Sequence, residues 1–187
     1  MESLENYVEN SMIKQLSRSV KYEDAWLKLF QDEVEFPSGQ KGTYAVLERK
    51  NGAGIILYTP EHEIVLTRQY RYPIAKEEWN IPGGGIDHGE DAAIAATREV
   101  EEETGLVIKN PVKLGEFYPL SSCSTEKVTL FMAEVEKKIL TTSTQSDEEI
   151  VQVQFFPMSE ALAMIDRGDI TDVNTCNAIQ MLERRLR

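Results

Sequence analysis

Gly84-Gly85-Ile86-Asp87-His88-Gly89-Glu90-Asp91-Ala92-Ala93-Ile94-Ala95-Ala96-Thr97-Arg98-Glu99-Val100-Glu101-Glu102-Glu103-Thr104-Gly105-Leu106 is the stretch that decides how this chain is read. A glycine loop runs into a helix whose carboxylates keep a strict spacing. Each helical residue turns the chain by about 100°. Glu99, Glu102 and Glu103 therefore share an arc of about 100° and form one acidic face. Like charges so close repel one another and weaken a helix. A hard cation would relieve them, since Mg²⁺ characteristically bridges a few carboxylates and substrate phosphates. By spacing alone, a metal site and a solvated acidic face both stay open.

The neighbouring residues narrow that choice. Gly83, Gly84 and Gly85 follow Pro82, so the backbone there can approach a ligand closely. Glu90 and Asp91 are expected in the first helical turn, where negative charge suits the helix dipole. Ala93, Ala96 and Val100 form a small apolar arc that lets the helix lie close to a sheet. Gly105 is expected to end the helix. Arg98 lies beside the acidic arc, placed to hold a carboxylate.

This stretch resembles the Nudix box: Gly, five residues, Glu, seven residues, Arg-Glu, an aliphatic residue, any residue, Glu-Glu, any residue, Gly, an aliphatic residue. Gly84, Glu90, Arg98, Glu99, Val100, Glu102, Glu103, Gly105 and Leu106 meet every fixed position. The resemblance implies a hydrolase of nucleoside diphosphates linked to a further group. It also implies an α/β/α sandwich with a mixed sheet, and a divalent metal, usually Mg²⁺, with Mn²⁺ as the alternative. In that setting Glu99, Glu102, Glu103 and the carbonyl of Gly83 are the expected metal ligands.

Composition agrees with a soluble enzyme. The 187 residues point to one domain with an appendage. The 20 basic and 32 acidic residues give a net charge of −12. That argues against a nucleic-acid or anionic-membrane partner. A phosphate substrate stays compatible, because bound cations reverse the local field. There is no run of 18 apolar residues and no signal-peptide pattern. Cys123 and Cys176 are the only cysteines and are expected to be reduced, in a cytoplasmic protein.

Strands are expected at Met12–Val20, Ala25–Val34, Thr43–Arg49, Gly54–Thr59, Ile64–Gln69, Val107–Phe117, Lys127–Val135 and Val151–Phe156. Pro60-Glu61-His62 reads as a hairpin turn, and His62 and His88 as surface turn residues. Residues 136–149 are polar and read as a loop. Ser159 is expected to cap a short helix ending near Gly168. A final helix starts at Thr171 or Asp172, with Cys176, Ile179 and Leu182 on its buried side. Residues 1–42 read as a separate arm whose short strands need a partner, and 43–187 as the Nudix domain.

The resemblance extends beyond the box. Arg68-Gln69-Tyr70-Arg71-Tyr72-Pro73, Trp79-Asn80-Ile81-Pro82-Gly83-Gly84, Phe117-Tyr118-Pro119 and Ser124-Thr125-Glu126 resemble the ADP-ribose and nucleotide-sugar pyrophosphatases. That branch implies a homodimer built with the N-terminal sheet, whose aromatics hold the base; Tyr22 and Trp26 are the candidates here. Guanidinium suits diphosphate and ribose oxygens, so Arg71 and Arg68 are candidate substrate ligands, against surface ion pairs as the alternative. Trp79 is expected to cover the core. The branch places the general base in the loop before the last strand, here Asp147-Glu148-Glu149-Ile150. Glu148 is the first choice and Glu149 the second, with Glu126 approaching from another loop. ADP-ribose enzymes usually carry Ser-Pro-Gly about fifteen residues after the box, where this chain has Leu120-Ser121-Ser122-Cys123-Ser124. That departure favours a broader nucleoside diphosphate sugar hydrolase over strict ADP-ribose specificity. The rivals are a hydrolase of GDP-mannose or another nucleoside diphosphate linked to a further group, a dinucleoside polyphosphate hydrolase, a housecleaning nucleoside triphosphate pyrophosphatase and, in another class, a nucleotide-sugar sensor that does not hydrolyse. The complete acidic set weighs against the sensor, since a pure binder gains nothing from a repulsive cluster.

Overall fold

The structure is a computed structural model that describes residues 12–138, 140 and 150–187. It separates into two compact units. One is the chain up to Lys50 together with Leu120–Glu126; the other is Asn51–Pro119 with Lys127–Arg187.

The first unit is an antiparallel meander of β1 (Lys14–Glu23), β2 (Leu27–Glu35) and β3 (Lys41–Arg49). Asp24 turns the chain between β1 and β2, its Oδ1 accepting from the amides of Trp26 (2.8 Å) and Leu27 (2.9 Å). Gly39 turns it between β2 and β3 at φ +81°, a conformation that glycine adopts without strain. Arg18 clasps Asp32 through two hydrogen bonds, of 2.7 and 2.8 Å, and stacks over the Phe30 ring. The Arg18 guanidinium holds the Asp32 carboxyl below its ordinary range. Segment 120–126 hooks onto β3: Leu47 N–H donates to the Cys123 carbonyl and Thr125 N–H to the Leu47 carbonyl.

The second unit carries the seven-stranded mixed sheet. Its main path is β10 (Ile150–Pro157), β5 (Glu63–Arg71), β4 (Gly52–Tyr58), β9 (Val128–Glu134) and β8 (Val112–Phe117). Among the described residues of this sheet, β4 and β9 are the one parallel pair. Ile55 and Leu57 point to one face of β4 and Ile56 to the other, following the two-residue period of a strand, and all three are fully buried. On one face lies α1 (Ala92–Thr104), packed through Ala95, Ala96 and Val100. On the other lie α2 (Met158–Arg167) and α3 (Val173–Leu186), packed through Ala161, Met164, Ala178, Ile179 and Leu182. The expected α/β/α sandwich is therefore present.

The sheet has one irregularity that shapes everything near the box. Strands β4 and β5 pair over only two positions, Leu57↔Val65 and Tyr58↔Ile64, and then part. Segment Lys76–Gly85 fills the opening. Its first half, β6 (Lys76–Asn80), pairs with β5, and its second, β7 (Gly83–Gly85), pairs with β4. A short 3-10 turn, Tyr72–Ile74, precedes it.

Several expectations need correction. β7 is a strand where the sequence suggested a glycine loop, and β6 is a strand in a stretch to which the sequence reading assigned none. The strand expected from Val107 begins at Val112, because Asn110 sits at φ +53° and Pro111 follows it. Ser159 lies inside α2, whose N-cap is Pro157 with no side-chain cap. Glu90 precedes α1, whose N-cap is Asp91 accepting from the Ala93 amide at 2.8 Å. Cys176 is half-buried, while Ile179 and Leu182 are buried as expected. His62 occupies its hairpin turn at φ +59°, and His88 is exposed. Cys123 and Cys176 are free thiols. Among the described residues no helix is long and apolar enough to cross a membrane.

Candidate active site

The glycine segment and α1 form the centre of the site. β7 lies against β4 with Gly52↔Gly85, Ala53↔Gly84 and Gly54↔Gly83 in register. The approach is too close for side chains. A Cβ on Gly83 would lie 2.5 Å from the Ala53 carbonyl oxygen and 2.7 Å from Gly54 Cα. The segment is pinned on either side, by Ile55 N–H to the Pro82 carbonyl (2.9 Å) and Ile86 N–H to the Asn51 carbonyl (2.8 Å).

From there the chain enters α1. Asp91 caps the helix, and Gly105 closes it at φ +69° with its N–H on the Glu101 carbonyl. Burying Ala96 and Val100 against the sheet turns the acidic arc back towards β7. The Glu99 carboxylate rests on Gly84, where a Cβ would meet its Oε1 at 2.5 Å. Glu103 is 8% exposed and its Oε1 accepts from the Gly83 amide at 3.4 Å. Glu102 points outward, its side chain 54% exposed.

Arg98 sits among these acids. Its Nε meets Glu90 Oε1 at 3.1 Å, and its Nη1 meets Glu99 Oε1 at 2.7 Å and Glu102 Oε2 at 3.2 Å. Its Nη2 reaches the Gly85 carbonyl. Glu90 also accepts from the Asp87 amide, and Arg98 first, then that amide, holds the Glu90 carboxyl below its ordinary range. Glu90 first, and then Glu99, raise the Arg98 guanidinium further against the opposing effect of burial, so it stays charged.

The donor set fits a hard divalent cation in its chemistry. Three carboxylates and the carbonyl-rich backbone of a glycine strand supply only oxygen, as such ions require. The bare Cα of Gly84 leaves the space that the Glu99 carboxylate uses. Among the described residues, however, no three acidic, histidine or cysteine side chains are already drawn together as ligands. Glu99 and Glu102 are arranged around Arg98 instead.

The other candidates are dispersed. Arg71 donates from Nε (3.0 Å) and Nη2 (2.6 Å) to Asn80 Oδ1. Arg68 pairs with Glu77 and lies over the Trp79 ring at 5.8 Å. Trp79 packs edge-on against Phe156 and joins the core face that carries α2 and α3. Tyr22 and Trp26 belong to the first unit, 53% and 74% exposed, and Tyr22 donates to Asp24. Glu126 also belongs to the first unit and pairs with Arg49 at 3.3 Å. Glu148 and Glu149 lie outside the described residues.

The sequence reading missed two participants. Asn80, buried and bound to Arg71, gave no periodic signal. Glu90 read as a dipole partner of the helix, yet it anchors Arg98; its fixed place in the box was the available clue.

The geometry can now be set beside known proteins. The family model for the NUDIX domain matches residues 48–174, and the model for the nucleoside diphosphate sugar hydrolase N-terminal domain matches 13–47. The chain belongs to the Nudix family. As a member it is a Nudix pyrophosphohydrolase, of the kind that uses divalent metal. An ADP-ribose pyrophosphatase of Bacillus subtilis (strain 168) is 31% identical over 158 residues, 84% of this chain and 85% of that protein. A methanol dehydrogenase activator of Bacillus methanolicus is 32% identical over 157 residues, 84% and 85% of the two. A GDP-mannose pyrophosphatase of Cronobacter sakazakii (strain ATCC BAA-894) is 30% identical over 149 residues, 75% and 77% of the two. In fold, the crystal structure of an ADP compounds hydrolase superposes with a TM-score of 0.78 at 20% identity, over 93% of this chain and 94% of that one.

Proposed function

We propose that this Nudix protein hydrolyses the pyrophosphate bond of nucleoside diphosphate sugars such as ADP-ribose, releasing a nucleoside monophosphate and a sugar phosphate. The observation that carries the reading is the acidic arc of α1 laid on a side-chain-free strand, with Glu99 against Gly84 and Glu103 on the Gly83 amide. Mg²⁺ is the proposed metal, with Mn²⁺ as a substitute, held by Glu99, Glu102, Glu103 and the Gly83 carbonyl. A metal held by these residues would supply charge neutralisation for the diphosphate and activation of the attacking water.

The residues of the chain do the rest. Arg98 holds Glu99 and Glu102 in place through its Glu90 anchor. Arg71, steadied by Asn80, and Arg68 bind the diphosphate or ribose oxygens. Tyr22 and Trp26 stack on the base. Water adds to one phosphorus, the bond from that phosphorus to the bridging oxygen breaks, and the bridging oxygen leaves with the second phosphate. The proton lost by the water passes to Glu148, with Glu149 and then Glu126 as the alternatives. Residues 1–42 form an arm through which two copies pair, leaving 43–187 as the hydrolase domain; the exposed apolar side chains of Leu16, Val20 and Tyr22 on β1 support this. We place the protein in the cytoplasm, in keeping with its two free cysteines.

A second reading keeps the reaction and changes the substrate to GDP-mannose. Ser121, at the position of the usual proline, and the GDP-mannose pyrophosphatase relative favour it. Purified protein with Mg²⁺ should be offered ADP-ribose, ADP-glucose, GDP-mannose, UDP-glucose and NADH, with product identified by chromatography. A nucleoside monophosphate from at least one sugar nucleotide, abolished by EDTA, is expected. Tight binding of every compound without turnover would establish the sensor instead.

A further inference from the structure

We infer that Thr175 is a positioning residue for the metal-binding segment, acting through the buried amide of Ile81. The inference rests on the reading of Gly83 and the box glutamates as the metal site. Thr175 lies in the first turn of α3, 94 residues from Ile81, and is fully buried. Its Oγ1 accepts from Ile81 N–H at 3.1 Å, and its hydroxyl donates to Asp172 Oδ2 at 2.7 Å. Asp172 also caps α3 by accepting from the Thr175 amide at 2.7 Å. A hydroxyl has one proton. Because that proton goes to Asp172, an oxygen lone pair is left facing Ile81, and the direction of the bond is fixed.

The position of Ile81 gives this bond its consequence. The residue lies between the end of β6 and Gly83, and Pro82 after it has no N–H to donate. The Ile81 amide is thus the donor through which this step of the chain is tied to α3. The next two anchors follow at once: the Pro82 carbonyl on Ile55 N–H and the Gly83 amide on Glu103. Three elements, α3, β4 and α1, fix three successive residues. The start of α3 is itself held to β6 by Glu78, whose carboxylate accepts from the Thr171 and Asp172 amides. The height of Ile81 on this support sets where the Gly83 backbone meets the acidic arc. Supporting hydrogen bonds of this kind set metal affinity.

The test is Mn²⁺ binding to the full chain without substrate, followed by the electron paramagnetic resonance of free Mn²⁺, together with thermal melting. Thr175→Val keeps shape and loses the hydroxyl; Thr175→Ser keeps the hydroxyl and loses a methyl. Val is expected to weaken Mn²⁺ about tenfold or more, while Ser stays within about twofold of the parent protein. If Thr175→Val does not fold, Thr175→Ala replaces it, since Ala and Ser both lose the methyl and only Ala loses the hydroxyl. Affinity that follows melting temperature across the variants, or is equal in Ser and in Val or Ala, overturns the positioning role while leaving the metal site standing. A parent protein that binds no Mn²⁺ overturns the metal reading itself, and this inference with it.

Discussion

Alanine at Gly84 and alanine at Gly83 should do opposite things, although the residues are adjacent. At Gly84 the new methyl carbon would lie 2.5 Å from Glu99 Oε1, 2.6 Å from its Cδ and 2.8 Å from its Oε2. All three atoms are the far end of a flexible side chain, and Gly84 is not among the positive-φ glycines. The clash is therefore relieved by moving the carboxylate, not the sheet. Restoring an ordinary C···O approach of about 3.3 Å moves it outward by about 0.8 Å. Misplacement on that scale costs about 10²-fold in rate. Folding should hardly notice, because Gly→Ala at a compatible backbone conformation contributes about 0.4–1 kcal/mol through the unfolded chain.

At Gly83 the obstacles are the Ala53 carbonyl oxygen at 2.5 Å and Gly54 Cα at 2.7 Å, both backbone. β7 must separate from β4, an overpacking cost of about 1–3 kcal/mol. That lowers the melting temperature by about 2–12 °C in a chain of this size. Melting curves and kcat on the best substrate of the screen read both effects. Gly84→Ala with parental kcat would refute the use of the Glu99 position. Gly84→Ala that melts as early as Gly83→Ala would refute the separation of side-chain from backbone clash.

Four further outcomes are expected. Glu102→Gln keeps shape and relieves repulsion, so it should fold normally and lose about two or more orders of magnitude in kcat; normal turnover in Mg²⁺ defeats the ligand assignment. Glu148→Gln should lower kcat by about 10²- to 10⁴-fold with little change in KM, and Glu149→Gln by less. The reverse order moves the base to Glu149, and no effect from either moves it to Glu126. Burial opposes the charge of Glu78, but Lys76 and the Thr171 amide and hydroxyl prevail and hold its carboxyl below the ordinary range. Its contribution is thus complete above the unfolded glutamate value of about 4.3 and is lost as the pH falls through its folded value. Urea unfolding between pH 7 and 3 should show a shallower acid loss for Glu78→Gln, and identical slopes refute this. Light scattering should give about twice the chain mass at micromolar concentration, as pairing of two copies through their arms requires; a fully active monomer contradicts the dimer.

The box helix was legible because every signal there is local. The small residues Ala96 and Val100, and Gly105, each do what their chemistry dictates within a few residues of one another, while Asp91, expected in the first turn, caps the helix from just outside it. The long hydrophobic strands were legible for the same reason, Gly52–Tyr58 being buried on both faces. β6 was hidden because Lys76-Glu77-Glu78-Trp79-Asn80 has no apolar alternation; its partners on β5 and the start of α3 supply the order. β7 was hidden because glycines show no period at all. Its pairing sets Gly83 and Gly85 opposite Gly54 and Gly52, with Gly84 opposite Ala53, a match that exists only in three dimensions. The Arg98 grouping was visible from its neighbours, but the Asn80–Arg71 and Thr175–Ile81 bonds join distant residues and leave no mark in a local pattern. The late start of β8 was legible in Asn110-Pro111, a break that the apolar residues around it concealed.

The parting of β4 from β5 has a consequence for how such a protein can vary. Segment Lys76–Gly85 is registered twice, on β5 through β6 and on β4 through β7. Residues added to or removed from the exposed turn at Tyr72–Ile74 alter the distance travelled before the first registration and nothing after it. The loop after Arg71 is thus free to change length and shape, while the glycine strand and the acidic helix after it keep their coordinates. On the proposed roles of Arg71 and the box glutamates, substrate contacts and chemistry fall on opposite sides of one clamp, so the first can change without re-solving the second.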